Sequence, residues 1–253
     1  MVYDCHLHPL GHEGGTYQVE TLKPFIEEAL KRGLAGIGFT DHDWFLNSVD
    51  YRAVNLLREE YQGIDLLFGL EVDYRLGREQ EIQDMISSQP FDYVIGSVHE
   101  MDGWLFDHPD FVGEYDNRDI YQLYRRYFSL MKQMVASGLF QMVGHLDLIK
   151  VFGYRVPGGA ADLAEPVLQE IRKYQLVVEV NTNGLYKPVR EMYPAEDILS
   201  RCFQLGIPVT LSSDAHQAGA VGRDFSLARS LLKRIGYNRI AYFRQRTLYQ
   251  MPL

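Results

Sequence analysis

The chain carries eight histidines, and all of them fall at seams between predicted elements. Most end a strand and none lies inside a helical run. They stand in Asp4-Cys5-His6-Leu7-His8, Gly11-His12-Glu13-Gly14, Thr40-Asp41-His42-Asp43, Ser97-Val98-His99-Glu100, Asp107-His108-Pro109, Gly144-His145-Leu146-Asp147 and Ser213-Asp214-Ala215-His216. In extended chain, residues two apart point to the same side, so His6 and His8 can grip one ion, and Asp214 and His216 repeat that spacing. Glu71 ends a run that is otherwise apolar, where a carboxylate is costly unless it is paired or bound to metal. Its two oxygens allow it to bridge two ions. His6, His8, His12, His42, Glu71, His99, His145, Asp214 and His216 make nine candidate ligands. That exceeds what one tetrahedral zinc can use and suits two or three divalent ions. Imidazole and carboxylate accept zinc, iron and manganese alike. Such clusters suit ester hydrolysis, because bound water loses a proton near neutral pH and the ions offset charge building on phosphoryl oxygens.

Strand ends from several parts of a chain converge at one face in a barrel enzyme. Seven short apolar runs read as buried parallel strands: Met1–Cys5, Leu34–Thr40, Leu66–Val72, Tyr93–Val98, Gln141–Gly144, Leu176–Val180 and Ile207–Leu211. Helical spacing fills the intervals at about Val19–Arg32, Tyr51–Tyr61, Arg78–Ser88, Asn117–Ser137, Ala161–Lys173, Pro194–Leu205 and Gly222–Ile235. Gly33, Gly138, Gly206 and Gly236 follow helices, where a left-handed cap favours glycine. Strand and helix alternating seven times predict a (β/α) barrel one unit short of eight, in a single domain spanning residues 1–253, with metal at the C-terminal ends of the strands. Arg239–Phe243 and Thr247–Tyr249 add a strand or close the barrel bottom. Gly33-x-x-Gly36-x-Gly38 enters a strand instead of leaving one, the wrong order for a dinucleotide turn.

The 253 residues are 46% hydrophobic, enough for one substantial core. The 34 acidic against 25 basic residues give a net charge of −9, which argues against a nucleic-acid partner. Cys5 and Cys202 form no disulfide framework, which predicts a reducing, cytoplasmic setting. The strand-like start predicts no signal peptide, and no apolar stretch approaches the roughly 20 residues that span a bilayer. Nothing in the sequence sets an oligomeric state.

Together these pieces resemble the PHP (polymerase and histidinol phosphatase) family. The matching motifs are Asp4–His8, Gly11–Gly14, Phe39-Thr40-Asp41-His42, Gly69-Leu70-Glu71, Phe91–His99, Gly144–Asp147 and Ser213–His216. They run in order from residue 4 to 216. Phe91–His99, Leu105–Pro109 and Val180–Leu185 are similar to the stand-alone histidinol-phosphate phosphatase branch. The resemblance implies a distorted (β/α)7 barrel and three divalent ions, variously zinc, iron or manganese. It implies that His6, His8, Glu71 and Asp214 hold the first ion and that Glu71 bridges to a second held by His99 and His145. His12, His42 and His216 would hold the third. The family commonly has Thr after its first histidine pair; here Pro9 stands there, which removes a hydroxyl and leaves the imidazoles.

The expected reaction is attack of a metal-bridging hydroxide on a phosphomonoester, with Glu71, Asp214 and His216 as the catalytic group and the last two nearest the leaving alkoxide. The resemblance narrows the substrate to L-histidinol phosphate, placing the activity in histidine biosynthesis. For phosphate, Arg155 is the first expected clamp because a guanidinium binds bidentately, followed by Lys187 and Arg190. His108 is expected to contact substrate. Glu13, Asp43 and Asp107 are acidic candidates for the substrate's ammonium and imidazole. The alternative is another activity of the same family: a protein-tyrosine phosphatase, nucleotide phosphoesterase or exonuclease.

Overall fold

A computed structural model describes residues 2–253. Seven parallel strands form one sheet in chain order: β1 (Tyr3–Leu7), β2 (Gly36–Phe39), β3 (Asp65–Asp73), β4 (Tyr93–Ser97), β7 (Met142–Val143), β8 (Val177–Asn181) and β9 (Val209–Ser212). The last strand returns to the first through a parallel bridge between Leu7 and Ala215, with the His8 amide donating to the Ala215 carbonyl at 2.9 Å. The result is the distorted seven-stranded barrel read from the sequence. Each predicted strand is present to within a few residues; Met1, which begins the first, lies outside the described residues. Two short strands, β5 (Glu100–Met101) and β6 (Trp104–Leu105), form a small hairpin after β4.

One helix follows each barrel strand: α1 (Val19–Lys31), α2 (Tyr51–Glu60), α3 (Glu79–Ser87), α4 (Ile120–Ala136), α5 (Ala161–Tyr174), α6 (Glu196–Gln204) and α7 (Phe225–Ile235). Their buried faces keep helical spacing. In α5, Ala164, Val167, Leu168 and Ile171 are buried, the i, i+3, i+4, i+7 stripe that packs on the barrel. Asp119 caps α4 by accepting the Gln122 amide at 2.8 Å. The four glycines predicted as helix caps all have positive φ. The chain end forms the antiparallel hairpin β10 (Arg239–Arg244) and β11 (Thr247–Pro252).

Inside the barrel, Cys5, Leu67, Tyr93, Ile95, Met142 and Val177 pack with Ala241 and Phe243, so the hairpin plugs the N-terminal end. Tyr93 reaches across the interior to donate to the Cys5 carbonyl at 2.8 Å. A Cβ on Gly38 would stand 1.7 Å from the Tyr93 hydroxyl, so only glycine lets that ring through.

Period-two alternation then decides what stands above the apolar layer. Two residues beyond Leu67 and Gly69 comes Glu71; beyond Ile95 comes Ser97; beyond Val177 comes Glu179. On β1, strict alternation would put Cys5 and Leu7 on the same side. Instead Cys5 packs in the interior and Leu7 in the outer core, because the register with β2 shifts between Asp4 and Leu7. That bulge reverses the phase of the strand and turns His6 and His8 inward. His6 therefore lies within β1, which runs two residues past the predicted strand end at Cys5.

Candidate metal centre

Glu71 is the hub. Its carboxylate is buried, and four strand-end imidazoles point at it besides His8. Its Oε2 lies 2.8 Å from His42 Nδ1, 3.4 Å from His6 Nε2 and 3.5 Å from His8 Nε2. Its Oε1 lies 3.0 Å from His145 Nε2 and 3.8 Å from His99 Nε2. Ser97 donates its hydroxyl to the same Oε1 at 2.6 Å. Asp214 reaches His8 Nε2 with Oδ1 at 3.3 Å, while the side-chain amides of Asn181 and Asn183 each donate to its Oδ2 at 3.2 Å.

Three groups have ligand atoms mutually within 4.8 Å: His6, His8 and Glu71; Glu71, His99 and His145; and His8, His42 and His216. The first two match the first and second ion sets expected from the motifs, with Asp214 beside His8. In the third, His8 takes the place expected of His12: both rings lie 4.3 Å from that of His216, but His8 is 4.3 Å from His42 and His12 is 6.1 Å from it.

The donor set fits divalent ions. His6 Nε2, His8 Nε2, His42 Nε2, His216 Nε2 and Glu71 Oε2 are buried without a hydrogen-bond partner. An orphaned buried polar atom costs on the order of 1–3 kcal/mol, so five of them rival a domain's whole folding stability of about 5–15 kcal/mol. Coordination removes that cost.

Charges are balanced accordingly. Burial alone would raise the Glu71 carboxyl, yet the His6 and His42 imidazoles hold it well below its ordinary range. Burial would lower His6, but Glu179, Glu71 and Asp214 keep it well above. For His99 the same contest between burial and the Asp73 and Glu71 carboxylates ends at about 10. Burial and the neighbouring His42 and His216 push His8 well below the ordinary value, and burial with His216 beside it takes His12 to about 4.

The cluster opens into a cleft of about 270 Å³. Lys187, His108 and Asp107 line it, as expected. Arg155 does not: its guanidinium donates to the Val189 carbonyl at 2.7 Å and stands 3.4 Å from Glu191, along a separate depression. Arg190 is exposed with φ of 52° and its Nη1 lies 3.5 Å from the Leu185 carbonyl, away from the cleft lining. Asp43 is also withdrawn, buried against Arg78 at 3.1 Å, and Glu13 is exposed outside the lining. His108 has a local task too, since its Nδ1 accepts the Asp110 amide at 3.3 Å.

Several residues at the site escaped the sequence reading. Arg75 lines the cleft and pairs with Asp73 at 3.0 Å and Glu100 at 3.1 Å. Trp44 stacks on His42, ring centroids 3.9 Å apart, at the rim. Asp73 reaches His99 Nδ1 at 3.4 Å. Glu179 is buried on β8 against His6 Nδ1 at 2.5 Å. Period-two inward placement above Leu67 and Val177 is the signal that would have found Asp73 and Glu179.

The PHP domain family model matches residues 4–183. A probable histidinol-phosphatase of Deinococcus radiodurans is 39% identical, the alignment covering 97% of each chain. The histidinol-phosphatase of Bacillus subtilis is 30% identical across 87% of this chain and 95% of its own. The chain belongs to the PHP domain family. Its barrel also superposes on histidinol phosphate phosphatase from Lactococcus lactis, solved with zinc, L-histidinol and phosphate, with a TM-score of 0.80 over 98% of both chains at 24% identity. That likeness speaks for the shared fold.

Proposed function

We propose that this chain is a metal-dependent phosphomonoesterase that hydrolyses L-histidinol phosphate to L-histidinol and phosphate. The observation that carries the hydrolytic reading is the ring of unpartnered buried imidazoles around Glu71 at the floor of an open cleft. The 39% identity across 97% of each chain to a probable histidinol-phosphatase supports the substrate. His6, His8, Glu71 and Asp214 would hold one ion, Glu71, His99 and His145 a second, and His12, His42 and His216 a third. When bound, the ions supply water of lowered pKa and positive charge opposite the phosphoryl oxygens.

The protein's own groups arrange the rest. Lys187 forms no ion pair among the described residues and faces the cleft, which suits it to steer and hold the phosphate. Arg75, half neutralised by Asp73 and Glu100, is the second cation at that wall. Asp107 offers a carboxylate to the ammonium group, and Trp44 a flat face to the imidazole. Asp214 is partly buried, and nearby His6, His8 and His216 hold its carboxyl well below the ordinary range against the opposing effect of burial. It stays ionised and acts as a ligand, so the leaving alkoxide takes its proton elsewhere. Asn181 and Asn183 fix its orientation by holding Oδ2.

The test is a substrate panel run on protein of measured metal content. Histidinol phosphate should exceed simple phosphomonoesters in kcat/KM by roughly 100-fold, the scale that a few matched polar contacts provide. Equal rates across the panel, or turnover that survives complete chelation, would overturn the assignment.

A further inference from the structure

Glu179 sits in the middle of β8 within the sequence Val177-Val178-Glu179-Val180-Asn181, fully buried. Its carboxylate receives four donors from four places in the barrel. His6 Nδ1 meets Oε1 at 2.5 Å, and the Ser212 hydroxyl donates to the same oxygen. The backbone amide of His145 donates to Oε2 at 2.5 Å, and the Asn181 side-chain amide does so at 3.3 Å. Nothing about the cleft requires it, since it does not line that space.

We propose that Glu179 is the positioning residue of the metal centre, one carboxylate that fixes the tautomer of His6 and the place of His145 together. The inference rests on the metal reading of the site given above. By accepting at Nδ1 it keeps the proton on that nitrogen, which leaves His6 Nε2 as a lone pair directed toward Glu71 Oε2. Ligating histidines are commonly held this way by a carboxylate on the far nitrogen, and loss of that partner typically costs 10–100-fold in metal affinity. Here the same group also grips the chain at His145, whose ring faces the other oxygen of Glu71. Two ion sites that share Glu71 in front therefore share Glu179 behind.

The donors explain why only a carboxylate serves. A glutamine offers one acceptor oxygen and one NH2 group. Turned toward the His145 amide, the NH2 would set donor against donor. Turned toward His6 and Ser212, it finds groups that can adapt: the hydroxyl rotates, and the imidazole accepts at Nδ1 by moving its proton to Nε2. That proton occupies the position a metal ion needs.

Glu179→Gln should therefore keep the fold and lose metal. Zinc titrated against a competing chelator should bind the variant 10–100-fold more weakly, with fewer ions retained per chain than in wild type. Glu179→Asp, which keeps the charge, should recover part of the affinity. Nitrogen-15 NMR of zinc-loaded wild type should show a proton on His6 Nδ1 and none on Nε2, a readout independent of any variant. Wild-type protein that retains no zinc would refute the metal reading itself. Wild type that retains zinc while Glu179→Gln retains it equally, or a His6 Nδ1 without a proton, would overturn the role of Glu179 alone.

Discussion

The two ends of the barrel bury charge in opposite ways. At the N-terminal end, under the β10–β11 hairpin, Asp92 takes Arg58 at 2.7 Å, the Phe68 amide at 2.9 Å and the Gln245 amide at 2.8 Å. At the rim of that end, the partly exposed Asp65 binds the exposed Arg244 and the Tyr3 hydroxyl. None of these groups belongs to the buried side-chain atoms left without a partner. At the C-terminal end, unpartnered atoms crowd together on His6, His8, His42, Glu71 and His216. One end spends its carboxylates on closing the fold, the other keeps coordination capacity in reserve. Residues at the first end should then govern stability and those at the second activity, and the two should separate cleanly under mutation.

The largest separation should come from Glu71→Gln. Removing a carboxylate that faces two ion groups should cut kcat/KM at least roughly 1,000-fold and lower bound metal by two ions together. Loss of a single ion with activity retained would break the contrast. Asp92→Ala is the opposite case. It strands the Arg58 guanidinium and the Phe68 amide, so stability by denaturant titration should fall by roughly 3 kcal/mol, with kcat/KM of the folded enzyme unchanged.

A smaller effect should follow Lys187→Ala. Loss of one charge-assisted contact should raise KM about tenfold, near 1.4 kcal/mol, with kcat changed less. Arg155→Ala, whose guanidinium is committed to Val189 and Glu191, should move KM less than Lys187→Ala does. A larger effect from Arg155 would show that its loop swings to the phosphate.

The subtlest prediction concerns pH in chelator-stripped protein. The folded pKa of His99 is about 10, above the ordinary 6.5. A raised folded value means the proton stabilises the folded state. That contribution is complete below about pH 6.5 and disappears as pH climbs through 10. Metal-free protein should thus lose stability across that window, by thermal melting, while zinc-loaded protein, whose imidazoles have already shed their protons, should vary less.

The barrel was legible because seven buried parallel strands print as seven apolar runs, and the site because its ligands gather where those runs end. What stayed hidden follows from the same rule. Glu179 lies inside a run rather than at its end, so hydrophobic context masked a group whose importance comes from facing inward. Arg155 and Lys187 looked alike as loop cations, yet which one meets the cleft depends on how two loops pack, and the Val189 carbonyl that holds Arg155 leaves no local mark. Arg75 was passed over because its role depends on the turn that follows a strand already assigned to Glu71.

The bulge in β1 has a consequence for how this chain tolerates insertion and loss. Removing the extra residue, Cys5, would restore plain alternation and keep both imidazoles of the first pair inward. Straightening β1 with every residue kept would instead leave seven strands, seven helices and an intact plug, yet swing both imidazoles toward the helices. The outcome would be a well-folded twin without its reactive centre. In this barrel, function hangs on the parity of a strand, a property that neither composition nor stability records.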